Sequence, residues 1–160
     1  MGGFAQPIFV LAFSQMEKKM TIETRPFPVN YWTQIKTRKL SPSARAVGAF
    51  FWANKFTSLC GVYFIDPGWI ASCTGYDEST IDLHIDDLSR HAHVEYDQET
   101  CEVLIIDWFR YHKFNGHWKK VLKADIDKIE SPRLNNLALE LAIKFGHIDP
   151  TKPPKKEDTE

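Results

Sequence analysis

The segment from Arg110 to Lys123, RYHKFNGHWKKVLK, combines cationic and aromatic side chains and contains no acid. The cations are Arg110, Lys113, Lys119, Lys120 and Lys123, and the rings between them are Tyr111, Phe114 and Trp118. Lysine and arginine contact phosphates, and an exposed ring can stack on an unpaired base. The same pattern suits an ordinary solvated helix face whose rings are buried. Both interpretations stay open, and the segment is the first candidate nucleic-acid contact.

A second basic group precedes and enters the first long predicted helix. It consists of Lys36, Arg38, Lys39 and Arg45. If the two groups converge in space, their phosphate contacts would add. The sequence by itself does not show whether they converge.

An acidic stretch, GYDESTIDLHIDDLSRHAHVEYD at 75–97, has the spacing of the second half of a helix-turn-helix followed by a strand. Such a helix usually enters the DNA major groove. Here it carries five acids, Asp77, Glu78, Asp82, Asp86 and Asp87, against one base, Arg90.

Three interpretations of these acids are open. Asp77 and Glu78 suit the positive end of the helix dipole, and the others can form a solvated face. A groove-reading helix is a second interpretation, although carboxylates accept only from cytosine amino groups and several in a row repel phosphates. In the third, Asp82, Asp86 and Asp87 bind the basic surface of a protein partner.

Histidine and cysteine do not form a metal pattern. His91 and His93 could face Cys101 across a hairpin, but this spacing is not a standard zinc spacing and a fourth ligand is missing. The sequence contains no recognisable nucleophile and base, paired carboxylates or phosphate-binding loop. We therefore predict no enzyme activity, no metal and no cofactor.

Length and composition set the broad class. A chain of 160 residues, 43% hydrophobic and 26% charged, suits one soluble domain. A net charge of −1 gives no global reason to bind nucleic acid or membrane, so any such binding needs a local patch. Three unpaired cysteines favour reduced thiols and a cytoplasmic location. No apolar run approaches the roughly 20 residues that span a bilayer, so we predict no membrane partner.

The predicted organisation has three parts. Residues 1–20 form an apolar N-terminal extension. It is either a translated upstream segment, in which case Met16 or Met20 is the true start, or an arm that packs on a neighbour. Residues 21–146 form the domain. Residues 147–160 are proline-rich and charged, which is typical of a disordered tail.

Caps and periodicity predict the elements of this domain. Ser41 and Pro42 begin a helix to about Lys55, Asp66 begins a short helix, and Ser131 with Pro132 begins the last one. The predicted order from residue 42 is helix, strand 61–66, helix, helix, strand 93–97, strand 101–109, and then helices at 116–130 and 131–146. In the lead-in, a short helix capped by Asn30 and buried anchors Phe27, Tyr31, Trp32 and Ile35 are expected. The last helix should pack its stripe Leu134, Leu137, Leu141 and Phe145 on the first helix and Trp32, or on a second copy.

Residues 40–135 resemble the N-terminal winged-helix domain of phage replication initiators, also called replisome organisers. The matching residues are Gly61, Tyr63, Thr74, Gly75, Thr80, Ile81, Leu88, Tyr96, Asp97, Glu99, Thr100, Trp108 and Phe109. Before the wing, where the family has glycine and a large aliphatic residue, this chain has Ala92 and His93. The resemblance implies a winged helix-turn-helix and DNA binding in phage or prophage replication.

The sequence therefore predicts a mainly α, α+β fold: a winged helix-turn-helix core with two added C-terminal helices. The predicted function is DNA binding in replication or transcriptional control. The predicted DNA contacts are Arg110, Lys113, Lys119, Lys120, Lys123, Arg38, Lys39, Arg45, Thr80 and, on the wing, Gln98. The alternative is a protein-interaction module that uses Asp82, Asp86 and Asp87 to regulate or inhibit a host or phage replication or defence complex. A second copy of the chain is a further candidate partner.

Overall fold

The computed structural model describes residues 26–151. The predicted extension at 1–20 and the predicted tail from residue 152 onward lie outside the described residues. A 3-10 turn, Tyr31–Thr33, precedes the other elements. These are α1 Ile35–Arg38, α2 Pro42–Ala53, β1 Val62–Phe64, α3 Pro67–Thr74, α4 Glu78–Arg90, β2 Val94–Asp97, β3 Glu102–Ile105, α5 Trp108–Tyr111, α6 His117–Ile126 and α7 Pro132–Lys144. The class is α+β and mainly helical, as predicted, and the order from α2 to β3 is the predicted order.

Three helices begin at the predicted caps. Oxygen atoms of Ser41, Asp66 and Ser131 each accept a hydrogen bond from the backbone N–H three residues later. A proline occupies the first turn in each case, where its missing N–H costs nothing. The α2 helix ends at Ala53 and not near Lys55, because the buried Asn54 is extended and its amide donates to the Phe50 and Phe51 carbonyls.

The sheet has the strand order β1-β3-β2, and both pairings are antiparallel. Val62 pairs with Leu104, and Val94 pairs with Ile105. The prediction that β3 continues to Phe109 is wrong, because the chain turns at Asp107 into α5. Gly61 makes this turn possible: a Cβ there would lie 2.3 Å from the Trp108 ring, whose indole N–H donates to the Leu59 carbonyl.

The last helix packs on β3 and α6 within one continuous core. Leu134 is buried, and Leu137, Leu141 and Phe145 pack against the core, so the predicted stripe is confirmed. The main contacts of this last helix are with β3 and α6 and not, as predicted, with the first helix, and the buried Glu102 of β3 binds the start of the helix. Packing on a second copy stays a prediction. The Glu102 carboxylate accepts from the backbone N–H groups of Glu130 and Ser131 at 3.1 and 2.7 Å.

The lead-in differs from the prediction. Tyr31 is buried and its hydroxyl donates to the Arg45 carbonyl, whereas Trp32 is 52% exposed and Ile35 is 76% exposed. These two are therefore not anchors. Asn30 makes no side-chain cap, because its carboxamide oxygen accepts from the Gln34 side chain instead.

The domain extends slightly past the predicted boundary at residue 146. His147 Nε2–H donates to the Phe109 carbonyl at 2.7 Å, and Ile148 packs against the core. The predicted tail thus begins with residues that α5 holds in place. Among the helices within residues 26–151, none has the length and apolar character that crossing a membrane requires.

Candidate nucleic-acid interface

The α4 helix presents acids to solvent, as its apolar stripe requires. Ile81, Ile85 and Leu88 are buried against the core, which leaves Asp82 and Asp86 on the exposed face. Leu83 lies between these two acids in the sequence and is 64% exposed. The helix that would enter the DNA major groove of a winged-helix complex therefore has two carboxylates and a leucine on its exposed face.

Asp87, the third predicted partner contact, has a role within the fold. Its carboxylate is only partly exposed and accepts a hydrogen bond from the Ser41 backbone N–H at 3.1 Å, at the start of α2. The His91 imidazole lies 3.3 Å from its other oxygen. Of the three predicted residues, Asp82 and Asp86 are therefore the ones free to meet a partner.

The tip between β2 and β3 also carries acids. Gln98 is exposed there, as predicted, beside Glu99. Asp97 accepts from the Ser131 hydroxyl, and this hydrogen bond lowers the pKa of the Asp97 carboxyl. Arg133 donates to Glu95 and to the Tyr96 carbonyl. The hairpin is thus joined to the start of α7 at several points.

Thr80 lies in the first turn of α4 and is partly buried. Its hydroxyl donates to the Asp77 carbonyl at 2.8 Å. This local bond satisfies the donor of Thr80, so a phosphate contact would have to replace it.

The basic segment separates into engaged and unengaged cations. Lys119 donates to the Gly146 carbonyl at 3.3 Å, and Lys123 pairs with Asp127 one turn later. Arg110 is 60% exposed, with Asp107 3.8 Å away. Lys113 and Lys120 are exposed and make no side-chain bond to any other described residue. The sequence did not separate Lys119 from these two lysines, because its partner, the Gly146 carbonyl, lies 27 positions away.

The second basic group divides in the same way. The Arg45 guanidinium donates to the Leu40 and Arg38 carbonyls, so it joins α1 to α2. Arg38 and Lys39 have exposed side chains. Lys36 of the same group donates to Asp107 and to the Ala92 carbonyl.

Asp107 brings the two basic groups together. Its carboxylate contacts Lys36 of α1 and, at 3.8 Å, Arg110 of α5. The Gln34 side chain also donates to the Tyr111 hydroxyl at 3.1 Å. The segment around Gln34 and Lys36 therefore lies against α5, and one cation of each group, Lys36 and Arg110, shares the Asp107 carboxylate.

The three rings of the basic segment differ in exposure. Phe114 is buried, and Tyr111 is partly buried and packs against the core. Trp118 is 53% exposed and is not among the residues packed against the core. Its indole is the ring of this segment that can still receive a planar ligand.

His93 is a polar residue whose burial the sequence did not predict. It is 5% exposed, and its Nε2 has no hydrogen-bond partner among the described residues. Burial and the nearby Lys36 ammonium lower the pKa of His93 to about 4. No cluster of three or more His, Cys, Asp or Glu side chains within residues 26–151 could hold a metal ion.

Comparisons with protein-family models, with curated proteins and with solved structures find no match to this chain.

Proposed function

We propose that the chain is a winged-helix DNA-binding protein of the phage or prophage type, acting in replication or transcriptional control. The order of elements from α2 to β3, with two antiparallel strands after α4, supports the winged-helix interpretation. The likeness of residues 40–135 to phage replication initiators supports the biological role.

The observation that carries the proposal is the exposed cationic surface on α5, α6 and the turn between them. Lys113 and Lys120 have no partner among the described residues, and Arg110 adjoins the second basic group through Asp107. Unpaired ammonium groups are the side chains that neutralise phosphates and release counterions. We propose that this surface, with Arg38 and Lys39, contacts the DNA backbone.

In this proposal α4 does not enter the groove. A carboxylate about 4 Å from a phosphate costs about 1 kcal/mol even in bulk water, and more where water is excluded. Asp82 and Asp86 would both incur this cost, and so would Asp77 and Glu78, which are exposed at the start of the helix.

The test is the salt dependence of DNA binding, measured by fluorescence anisotropy. Replacing Lys113 and Lys120 together by alanine should weaken binding to all sequences and reduce the slope of log K against log salt by about one per lysine. Lys128→Ala is the matched control, because this lysine is exposed beyond the other end of α6. No binding by the unaltered protein at about 50 mM salt would refute the proposal.

The second candidate function is protein binding through the exposed face of α4. The observation that favours it is Leu83, a large apolar side chain exposed between Asp82 and Asp86. A basic partner with an apolar pocket would satisfy both features. Recovery of a partner from host lysate should be lost when Asp82 and Asp86 become asparagine, with DNA binding unchanged. Equal recovery by both proteins would refute this candidate.

A further inference from the structure

Trp118 is a large exposed ring and not a core residue. The side chain is half-exposed, and its ring neighbour is His117, with ring centroids 6.0 Å apart in an edge-on arrangement. It occupies the first turn of α6, immediately before Lys119 and Lys120. The indole is therefore half-exposed on the segment that also carries the unpaired Lys113 and Lys120.

The elements that would read duplex DNA carry the opposite charge. The exposed face of α4 has Asp82 and Asp86, and the hairpin tip has Glu99 beside Gln98. A duplex that presented its major groove to α4 would bring phosphates of both strands toward these carboxylates. An unpaired strand has a single backbone and offers base faces that a duplex hides.

We propose that this surface binds an unpaired nucleic-acid strand, with a base stacked on Trp118 and phosphates bound by Lys113, Lys120 and Arg110. The inference rests on the proposed DNA-binding function and specifies the form of its ligand. Stacking on an aromatic ring tolerates any base, so binding should show little sequence preference.

A second copy of the chain is a poorer occupant of the same surface. In a two-fold contact centred on Trp118, each residue would meet its own counterpart or a close neighbour. Lys119 and Lys120 of both copies would then be brought together, and like charges across an interface are strongly unfavourable. A polyanionic strand removes this repulsion.

The test compares the binding of two labelled probes by fluorescence anisotropy. One is oligothymidylate of about 20 nucleotides, and the other is a duplex of equal length. This length exceeds the roughly 4–16 nucleotides that a small single-strand-binding fold covers. We expect tighter binding of the single strand. Trp118→Ala should weaken single-strand binding by about 5-fold to 150-fold, which corresponds to one stacked base, and should change duplex binding less than about twofold. Trp118→Phe should retain most of the affinity.

Trp32→Ala is the matched control, because Trp32 is equally exposed but lies outside the basic segment. It should leave single-strand affinity unchanged. Oligothymidylate should also quench tryptophan fluorescence, and Trp118→Phe should remove most of that quenching. The melting temperature of each variant verifies that it folds.

Several results would overturn the inference. Equal or tighter duplex binding, with its dependence on Lys113 and Lys120 intact, refutes the single-strand preference and leaves the proposed function standing. A Trp118→Ala variant with unchanged single-strand affinity refutes the stacking role. Absence of binding to either probe refutes both proposals. A monomer-to-dimer difference between the unaltered protein and Trp118→Ala in sedimentation would assign the ring to a second copy instead.

Discussion

Ala92 has a backbone conformation that L residues rarely adopt. Its φ is 52°, and it follows His91, the C-cap of α4. The His93 N–H donates to the Leu88 carbonyl and the Ala92 N–H donates to the Ser89 carbonyl, both at 3.0 Å. This pair of bonds is the Schellman motif, in which glycine normally occupies the left-handed position.

The α7 helix provides an internal comparison. It ends with the same two bonds, from the His147 N–H to the Ala142 carbonyl and from the Gly146 N–H to the Ile143 carbonyl. Its left-handed residue is Gly146, with φ 74°. Ala92 therefore occupies the position that glycine occupies in the equivalent turn of the same molecule.

We expect Ala92→Gly to stabilise the protein. The left-handed conformation costs an L residue about 1–2 kcal/mol, and glycine loses about 0.5–1 kcal/mol more than alanine through chain entropy. Ala92 is exposed, so its methyl group contributes little packing. The net gain should be about 0.5–1 kcal/mol, which for a domain of this size raises the melting temperature by about 1–4 °C.

Urea denaturation of three variants measures this effect. Gly146→Ala should lower the free energy of unfolding by about 1 kcal/mol, because it introduces the strain that Ala92 already has. Ala124→Gly is the control for chain entropy: Ala124 is exposed inside α6, so glycine there should destabilise by about 1 kcal/mol. If Ala92→Gly destabilises the protein as Ala124→Gly does, then Ala92 is not left-handed in solution and the reasoning fails.

Two further predictions concern buried polar groups. Because the pKa of His93 is lowered to about 4, the unfolded chain binds a proton below pH 6.5 that the folded protein excludes, so stability is greatest above that pH and falls toward pH 4. Between pH 6.5 and about pH 5 the free energy of unfolding should fall by about 1–2 kcal/mol, with allowance for screening. His93→Leu should remove this loss. Equal acid sensitivity of the variant and the unaltered protein in urea titrations would contradict the prediction. Glu102→Ala should lower the free energy of unfolding by about 2–3 kcal/mol, because the Glu130 and Ser131 N–H groups lose their acceptor. The control is Glu95→Ala, which removes the exposed pair with Arg133 and should lower the free energy of unfolding by less than about 1 kcal/mol. Similar losses in these two variants would show that Glu102 does not hold α7.

Most elements that local chemistry determines were predicted correctly, although the expected cap at Asn30 is absent. Ser41, Asp66 and Ser131 begin helices because a cap depends on the next three residues alone. The order of helices and strands follows from periodicity, which is also local. The hairpin between β2 and β3 follows from two apolar runs separated by turn residues.

The errors arose where distant residues decide the outcome. The strand β3 ends early because Gly61, more than 40 positions upstream, gives Trp108 space to close on it. The position of α7 depends on Glu102, a carboxylate that sequence patterns would assign to the surface. Trp32 was predicted to be an anchor from its residue type, yet Tyr31 beside it takes the buried position.

The candidate site shows the same division. The sequence located both basic groups, but it could not show that Arg45 and Lys119 bind carbonyl groups within the protein. Nor could it show that Asp87 holds the start of α2. Pairing is a property of the tertiary structure, so composition overstates the number of charges available to a ligand.

The net charge of −1 conceals a separation of charge that bears on any ligand. The α4 helix packs against α2, α3 and β2, whereas α6 packs against α7. At physiological salt, charges more than about 8 Å apart are largely screened from each other. A phosphate that touches a lysine of α6 is therefore little affected by carboxylates that lie further away than this. A polyanion can therefore bind a protein of no net positive charge, but only over a short range. Association should lack the long-range steering of a basic protein, and its salt dependence should report the few lysines that touch phosphate.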